Sequence, residues 1–234
     1  MHPSIGWSQS VKFFESTHFS LELADGLATL WFDFRGRAHA FSHAVLFEFH
    51  SLLELLAEHT GIEVLALRSS RPGVFLDDFS PTELAQLNTP EAAIGFAGRG
   101  QQVLARLANL PFPTVALLEG RCSGTGLELA LACDYRLAAD NGKVELDLGH
   151  YRRGSLPCWG THARLARLIN LSALQQCLQN STPLDAFAAL QGGWLDAVFP
   201  ESRFLIDSTT FLEALQDRPT KRPASRWAFC KKWL

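Results

Sequence analysis

Between residues 44 and 139, stretches with apolar residues at helical spacing alternate with short, unbroken apolar runs. The segment "HAVLFEFHSLLELLAEH" has the helical period. After Gly61 it gives way to "EVLALRS", a run apolar enough for a strand covered on both faces. The order then repeats: "EAAIGFAGRGQQVLARLANL" predicts a helix, "TVALLEG" a strand, "GLELALACD" a helix and "YRLAA" a strand. Alternation of this kind predicts a layered fold of the α/β (α+β) class.

Before this region, "FSLELADGLATLWFDF" alternates apolar and polar residues around Asp25-Gly26, and a two-residue turn there needs positive φ at its centre. A β-hairpin is expected, with residues 1–17 as an irregular arm. After Pro157 the pattern becomes helical, punctuated by Asn170, Pro183 and Gly192-Gly193, with "WLDAVF" as a brief extended piece. We therefore expect a core domain over residues 1–160 and a helical subdomain over 161–234.

The 234 residues are 47% hydrophobic and 19% charged, enough for a substantial core. A net charge of −3 offers phosphate backbones no general attraction, so nucleic acid is not expected as a partner. No apolar run reaches the ~20 residues that span a bilayer, and no secretory leader is evident, which points to the cytoplasm. The five cysteines are dispersed and lack a C-x-x-C pair, so they are read as reduced thiols.

Within "GRCSGTGLELALACDYRLAADN", Glu128 lies inside an otherwise apolar helical run. Gly120, Gly124 and Gly126 precede it, permit a sharp turn and leave the first helical turn open to close approach. Unpaired N–H groups there, at the positive end of the helix dipole, suit an oxyanion. A phosphate loop fits less well, because no Gly-Lys-Ser/Thr follows. The dipole favours a nearby carboxylate by only ~0.3–1 kcal/mol, less than the several kcal/mol that burying an unpaired one costs. Glu128 therefore needs either a partner, in a neighbouring loop or at Arg136, or a chemical task.

The stretch "VALLEGRCSGTGLELALACDYRLAADNGKVEL" resembles the signature of the crotonase, or enoyl-CoA hydratase/isomerase, superfamily. "RAHAFSHAVLFEF", "VLALRSSRPGVFLDDFSPTELAQL", "GSLPCWGTHARLARLIN" and "LQGGWLDAVFP" are similar to further segments of that family, so the resemblance runs over most of the chain. It implies a crotonase-like β-β-α spiral with a C-terminal helical trimerisation region. It also implies a pocket for an acyl thioester of coenzyme A or of a carrier protein, no cofactor beyond the coenzyme A or phosphopantetheine of the substrate, and a homotrimer or hexamer. By matching positions, the backbone N–H groups of Thr125 and Asp77 would hold the thioester oxygen, and Glu128 matches the first of two hydratase glutamates. His39, Ala40, Phe75, Asp78, Gly124 and Leu148 fall on segments that line the substrate.

The sequence departs from the family pattern at two places. Where a second glutamate is expected, "DLGHYRRG" puts Leu148 or His150 there, depending on which side is aligned; Glu145, Asp147 or His150 is a possible substitute. "FLDDFS" replaces the small Ala-Gly pair of "FSAGAD" by Asp77-Asp78, with Ser80 as helix cap before Pro81. Two carboxylates beside a forming enolate repel its charge unless they point away or stay protonated, and Asp77 or Asp78 is a candidate catalytic acid.

His39 and His43 have no third ligand at metal-site spacing, and no metal is expected. Trp159 and Trp194 are read as core or subunit-contact residues. Arg152-Arg153 and Lys231-Lys232 are candidates for coenzyme A phosphates or a wet surface, and the short tail leaves part of the lid helix expected to be absent or supplied by a neighbouring subunit. Two functions remain open: an acyl-thioester enzyme (hydratase/dehydratase, isomerase or decarboxylase), and a catalytically degenerate auxiliary subunit of an acyl-CoA or polyketide pathway.

Overall fold

The computed structural model describes residues 11–34, 40–148, 157–169 and 182–217. Among these, one sheet has seven strands in the order β1 (Val11–Glu15), β2 (Phe19–Ala24), β3 (Leu27–Phe32), β4 (Val64–Ser69), β6 (Thr114–Leu118), β8 (Tyr135–Asp140) and β11 (Ala197–Pro200). The first two pairings are antiparallel and the rest parallel. A second sheet runs β10 (Leu184–Asp185), β9 (Glu145–Asp147), β7 (Gly120–Ser123) and β5 (Gly73–Leu76). Helices α1 (His43–Glu58), α2 (Pro81–Leu84), α3 (Pro90–Ala108), α4 (Thr125–Ala132), α5 (Thr161–Leu165), α6 (Ala186–Gln191) and α7 (Phe204–Gln216) complete the described chain.

The hairpin turns at Asp25 (φ 47°) and Gly26 (φ 80°), the pair of positive φ values that matches the twist of its strands. Helix α1 is capped by Ser42, whose side chain accepts from the Val45 N–H, and buries Phe49, Leu52, Leu53 and Leu56. The Glu83 carboxylate accepts the His43 N–H at 2.7 Å, placing negative charge on the first turn of α1. Helix α7 covers the opposite face of the large sheet, burying Phe211, Leu212 and Leu215 with Val64, Val115 and Leu137.

Two readings are corrected, and one strand is added. Residues 11–15 are not part of an irregular arm but a strand, paired antiparallel with β2. The segment "RPGVFLDD" contains β5, which the sequence pattern did not reveal. Ser80 stands at the N-cap of α2, but its hydroxyl meets Thr82 Oγ1 at 2.9 Å and caps nothing. Beyond residue 160 the chain sends β10 into the small sheet and β11 into the large one.

Candidate functional site

Strands β5 and β7 lie side by side and parallel, with Gly73 opposite Gly120 and Leu76 opposite Cys122. Two parallel neighbours release their chains at the same end of the sheet, so residues 77–79 and 124–126 emerge together. Gly124 then turns the chain into α4 with φ 55° and ψ −124°, a conformation closed to residues with a side chain. The result is a pair of backbone donors aimed at one point. The N–H groups of Phe79 and Thr125 both donate to Asp78 Oδ1, at 2.8 and 2.9 Å.

Gly124 also makes room for that carboxylate, since a Cβ there would sit 2.1 Å from Asp78 Cγ. Gly124→Ala is therefore expected to lose stability twice, by about 1–3 kcal/mol of backbone strain and by driving Asp78 from its seat. A lower urea midpoint, with shifted Phe79 and Thr125 amide resonances, would register both losses.

All eight residues of α4 are buried, so this helix has no solvent face and packs against α3, α5, β5 and β7. Glu128, in its first turn, is fully buried. Its Oε1 accepts the Trp159 N–H at 2.9 Å and the Thr161 hydroxyl at 2.7 Å. These charge-assisted bonds, made by the loop entering α5, offset much of the desolvation cost. Of the two partners considered from the sequence, the loop is the one found. Arg136 instead pairs with Asp196 at 2.7 Å and donates to the Trp194 and Cys133 carbonyls.

An aromatic wall flanks Glu128. The Trp159 ring packs on Phe41, Phe79 and Phe96 with centroids 5.9, 5.9 and 5.4 Å away, and it fills the space over Gly100. Thr125 Oγ1 and Trp159 Nε1 are buried and, among the described residues, have no hydrogen-bond partner. Arg164 donates from Nη1 to the Trp159 carbonyl. Burial pushes its guanidinium pKa down, while the Glu128 charge pulls it up.

The adjacent carboxylates have separate fates. Asp77 is held by Arg121 through two hydrogen bonds, Nε to Oδ1 at 2.7 Å and Nη2 to Oδ2 at 2.8 Å, with Ser123 Oγ at 3.3 Å. Arg121 is held above its ordinary pKa by the Asp77 hydrogen bonds, against burial, with Glu145 and Asp147 adding negative charge. The structure thus pairs the Thr125 amide with that of Phe79, two residues past the Asp77 position taken from the resemblance. Phe79 is revealed by the hydrogen bond of its N–H, which leaves no periodic pattern in the sequence.

Ala40 forms an isolated bridge with Asp77. Phe75 and Leu148 are core residues, Phe75 stacking edge-on to Phe32 at 5.6 Å. The Asp147 carbonyl accepts the Gly124 N–H at 2.9 Å, which ties β9 to the turn. His39 and His150 lie outside the described residues. A separate cleft of about 150 Å³ lined by Trp31, Arg68, Arg71 and Glu119 shares none of these residues.

The thiols near the site are poor nucleophiles. Burial raises Cys133 to about 12, and burial together with the Glu128 charge raises Cys158 to about 12. A thiol is reactive only as thiolate, so both stay protonated at pH 8 and gain reactivity only as pH approaches 12. Site-resolved mass spectrometry should show iodoacetamide labelling of Cys158 at pH 8 roughly a thousandfold slower than a thiol of ordinary pKa.

The sequence model of the enoyl-CoA hydratase/isomerase family matches residues 22–226. The chain belongs to this family. Its relatives include the fatty acid oxidation complex subunit alpha of Vibrio parahaemolyticus, 32% identical over 179 residues. That match covers 76% of this chain and 26% of the Vibrio protein, so the chain spans about a quarter of the curated relative's length. Among solved structures, an enoyl-CoA hydratase of Geobacillus kaustophilus superposes with a TM-score of 0.82 at 24% identity, covering 89% of this chain and 78% of that one. Pseudomonas aeruginosa DspI superposes at 0.79 with 21% identity, covering 94% and 80%. These two likenesses establish the crotonase fold of the chain. Among the described residues no helix is long and apolar enough to cross a membrane.

Proposed function

We propose that the chain binds an acyl thioester, of coenzyme A or of a carrier protein's pantetheine arm, and transforms it through an enolate. The observation that carries the reading is the convergence of the Phe79 and Thr125 N–H groups on one oxygen, at 2.8 and 2.9 Å. That is the geometry of an oxyanion hole, and each donor aimed at a developing enolate oxygen is worth about 3–4 kcal/mol. Glu128, on the same helical turn as Thr125, would move the proton at the neighbouring carbon, its orientation fixed by Trp159 and Thr161.

Hydration requires one group to activate water and another to manage the α-proton, whereas an isomerase needs one base that takes a proton from one carbon and returns it to another. Leu148 is a buried core residue at one of the two positions aligned with the second glutamate. Proton transfer by a single carboxylate, as in isomerisation, therefore fits the described site more simply than hydration. The Vibrio relative, named for fatty acid oxidation, is consistent with an acyl-CoA substrate. Homotrimeric or hexameric assembly remains part of this proposal.

A second reading has its own observation. Asp78 places a carboxylate oxygen on both amides, as a non-catalytic auxiliary subunit would tolerate. The experiment is a panel of crotonyl-CoA, a 3-enoyl-CoA, malonyl-CoA and free coenzyme A, followed by thermal melting and by mass analysis of products. A ligand that binds only the folded chain raises the melting temperature. A shift with product supports the enzyme; binding without product favours the auxiliary subunit, and no binding of this panel or of an acyl-pantetheine overturns the thioester reading.

A further inference from the structure

An N–H group has one proton to give, and those of Phe79 and Thr125 are both given to Asp78 Oδ1. The seat is shaped for this side chain: Asp78 Cγ lies 2.1 Å from where a Gly124 Cβ would stand, so any larger residue at 124 would expel it. The neighbouring carboxylate plays no part, being held by Arg121 and Ser123. A carboxylate and an enolate oxygen cannot share the same two donors, because like charges at hydrogen-bond range repel.

We propose that Asp78 is a built-in competitor for the amide pair, an internal carboxylate that must swing out before an acyl oxygen takes its place. The identity of the incoming group rests on the thioester reading above; the occupation of the amides by Asp78 does not. Asp78 thereby sets how well the site discriminates among ligands. A ligand that uses the pair gains only what remains after Asp78 is displaced, and its apparent affinity falls by the fraction of molecules in which the pair is open. A ligand that does not use the pair, such as free coenzyme A, is not penalised. The residue therefore weakens binding of the thioester more than binding of its carrier.

The test uses the full chain as wild type, Asp78→Ala, Asp78→Gly and Asp78→Asn. In ¹H–¹⁵N spectra, Asp78→Ala should move the Phe79 and Thr125 amide resonances more than the surrounding ones, and millimolar acetate should move them back. Acetate should leave the wild-type resonances in place. Asp78→Asn keeps an acceptor oxygen and should hold the amides near their wild-type positions; Asp78→Gly removes the acceptor as alanine does, should move the amides in the same way, and serves if the alanine variant folds poorly. By calorimetry, acetyl-CoA should bind Asp78→Ala about tenfold or more tightly than wild type, with free coenzyme A unchanged, as an open fraction of about one tenth or less requires.

Amide resonances indifferent to every Asp78 substitution, or equally sensitive to acetate in wild type, would overturn the proposal. So would equal acetyl-CoA affinity of a folded Asp78→Ala variant and wild type. Released and acetate-rescued amides without thioester binding to either protein would uphold Asp78 as the occupant while removing the thioester reading.

Discussion

Glu128→Gln should lower turnover of any thioester the wild type accepts by about 10²- to 10⁴-fold, the usual contribution of a positioned acid or base. The amide retains an oxygen for the Trp159 N–H and the Thr161 hydroxyl, so the fold should persist with a nearly unchanged melting temperature. Glu128→Ala separates chemistry from structure in the other direction. It leaves two buried donors without their acceptor, at about 1–3 kcal/mol each, and should lower the urea midpoint as well as the rate. Product formation measured by mass, beside thermal and urea melts of both variants, checks the expectation. Full activity in Glu128→Gln would reduce Glu128 to a structural residue and leave the enolate chemistry without its proton carrier.

Arg136→Met should cost about 3–5 kcal/mol, the loss expected when one member of a buried ion pair is removed. Arg136 and Asp196 are 1% and 6% exposed, so neither charge can retreat into water. Asp196 Oδ2 also accepts the Arg136 backbone N–H at 2.8 Å. The guanidinium further donates to carbonyls of Ala130, Cys133 and Trp194, which finishes the C-terminal end of α4. Helix α4 is therefore clamped at both ends, by Glu128 at the first turn and by Arg136 at the last. Arg136→Met combined with Asp196→Leu should recover part of the loss, because no lone charge is then left inside. Urea denaturation of the single and double variants reads the coupling directly.

Features specified by neighbouring residues were legible before the structure. The Asp25-Gly26 hairpin follows from turn chemistry, and α1 and α3 from apolar period. Strand β1 was not legible, since it is short and mostly exposed and gains its form by pairing with β2. Strand β5 is four residues long and is defined by β7, nearly fifty positions on. The same distance hid the site's details. Glu128 stood out as a buried charge, but its partners lie 31 and 33 residues away, and Arg136 looked equally suitable. Asp77 and Asp78 stood out as carboxylates where small residues were expected. Which of them meets the amides depends on chain direction at the end of β5, and no sequence period records that.

The way the late strands close both sheets has a consequence for how the chain acquires its structure. Strand β11 completes the parallel series beside β8, β10 completes the small sheet, and Gln216 donates to the Asp25 carbonyl across 191 residues. A nascent chain released up to residue 160 has its first nine strands in hand, with the exposed flanks of β8 and β9 still unpaired. Such unpaired edges invite intermolecular pairing, and contacts of long sequence separation form slowly. Folding on the ribosome is therefore expected to finish only after β11 has emerged, and fragments cut near residue 160 should aggregate rather than persist as a soluble half.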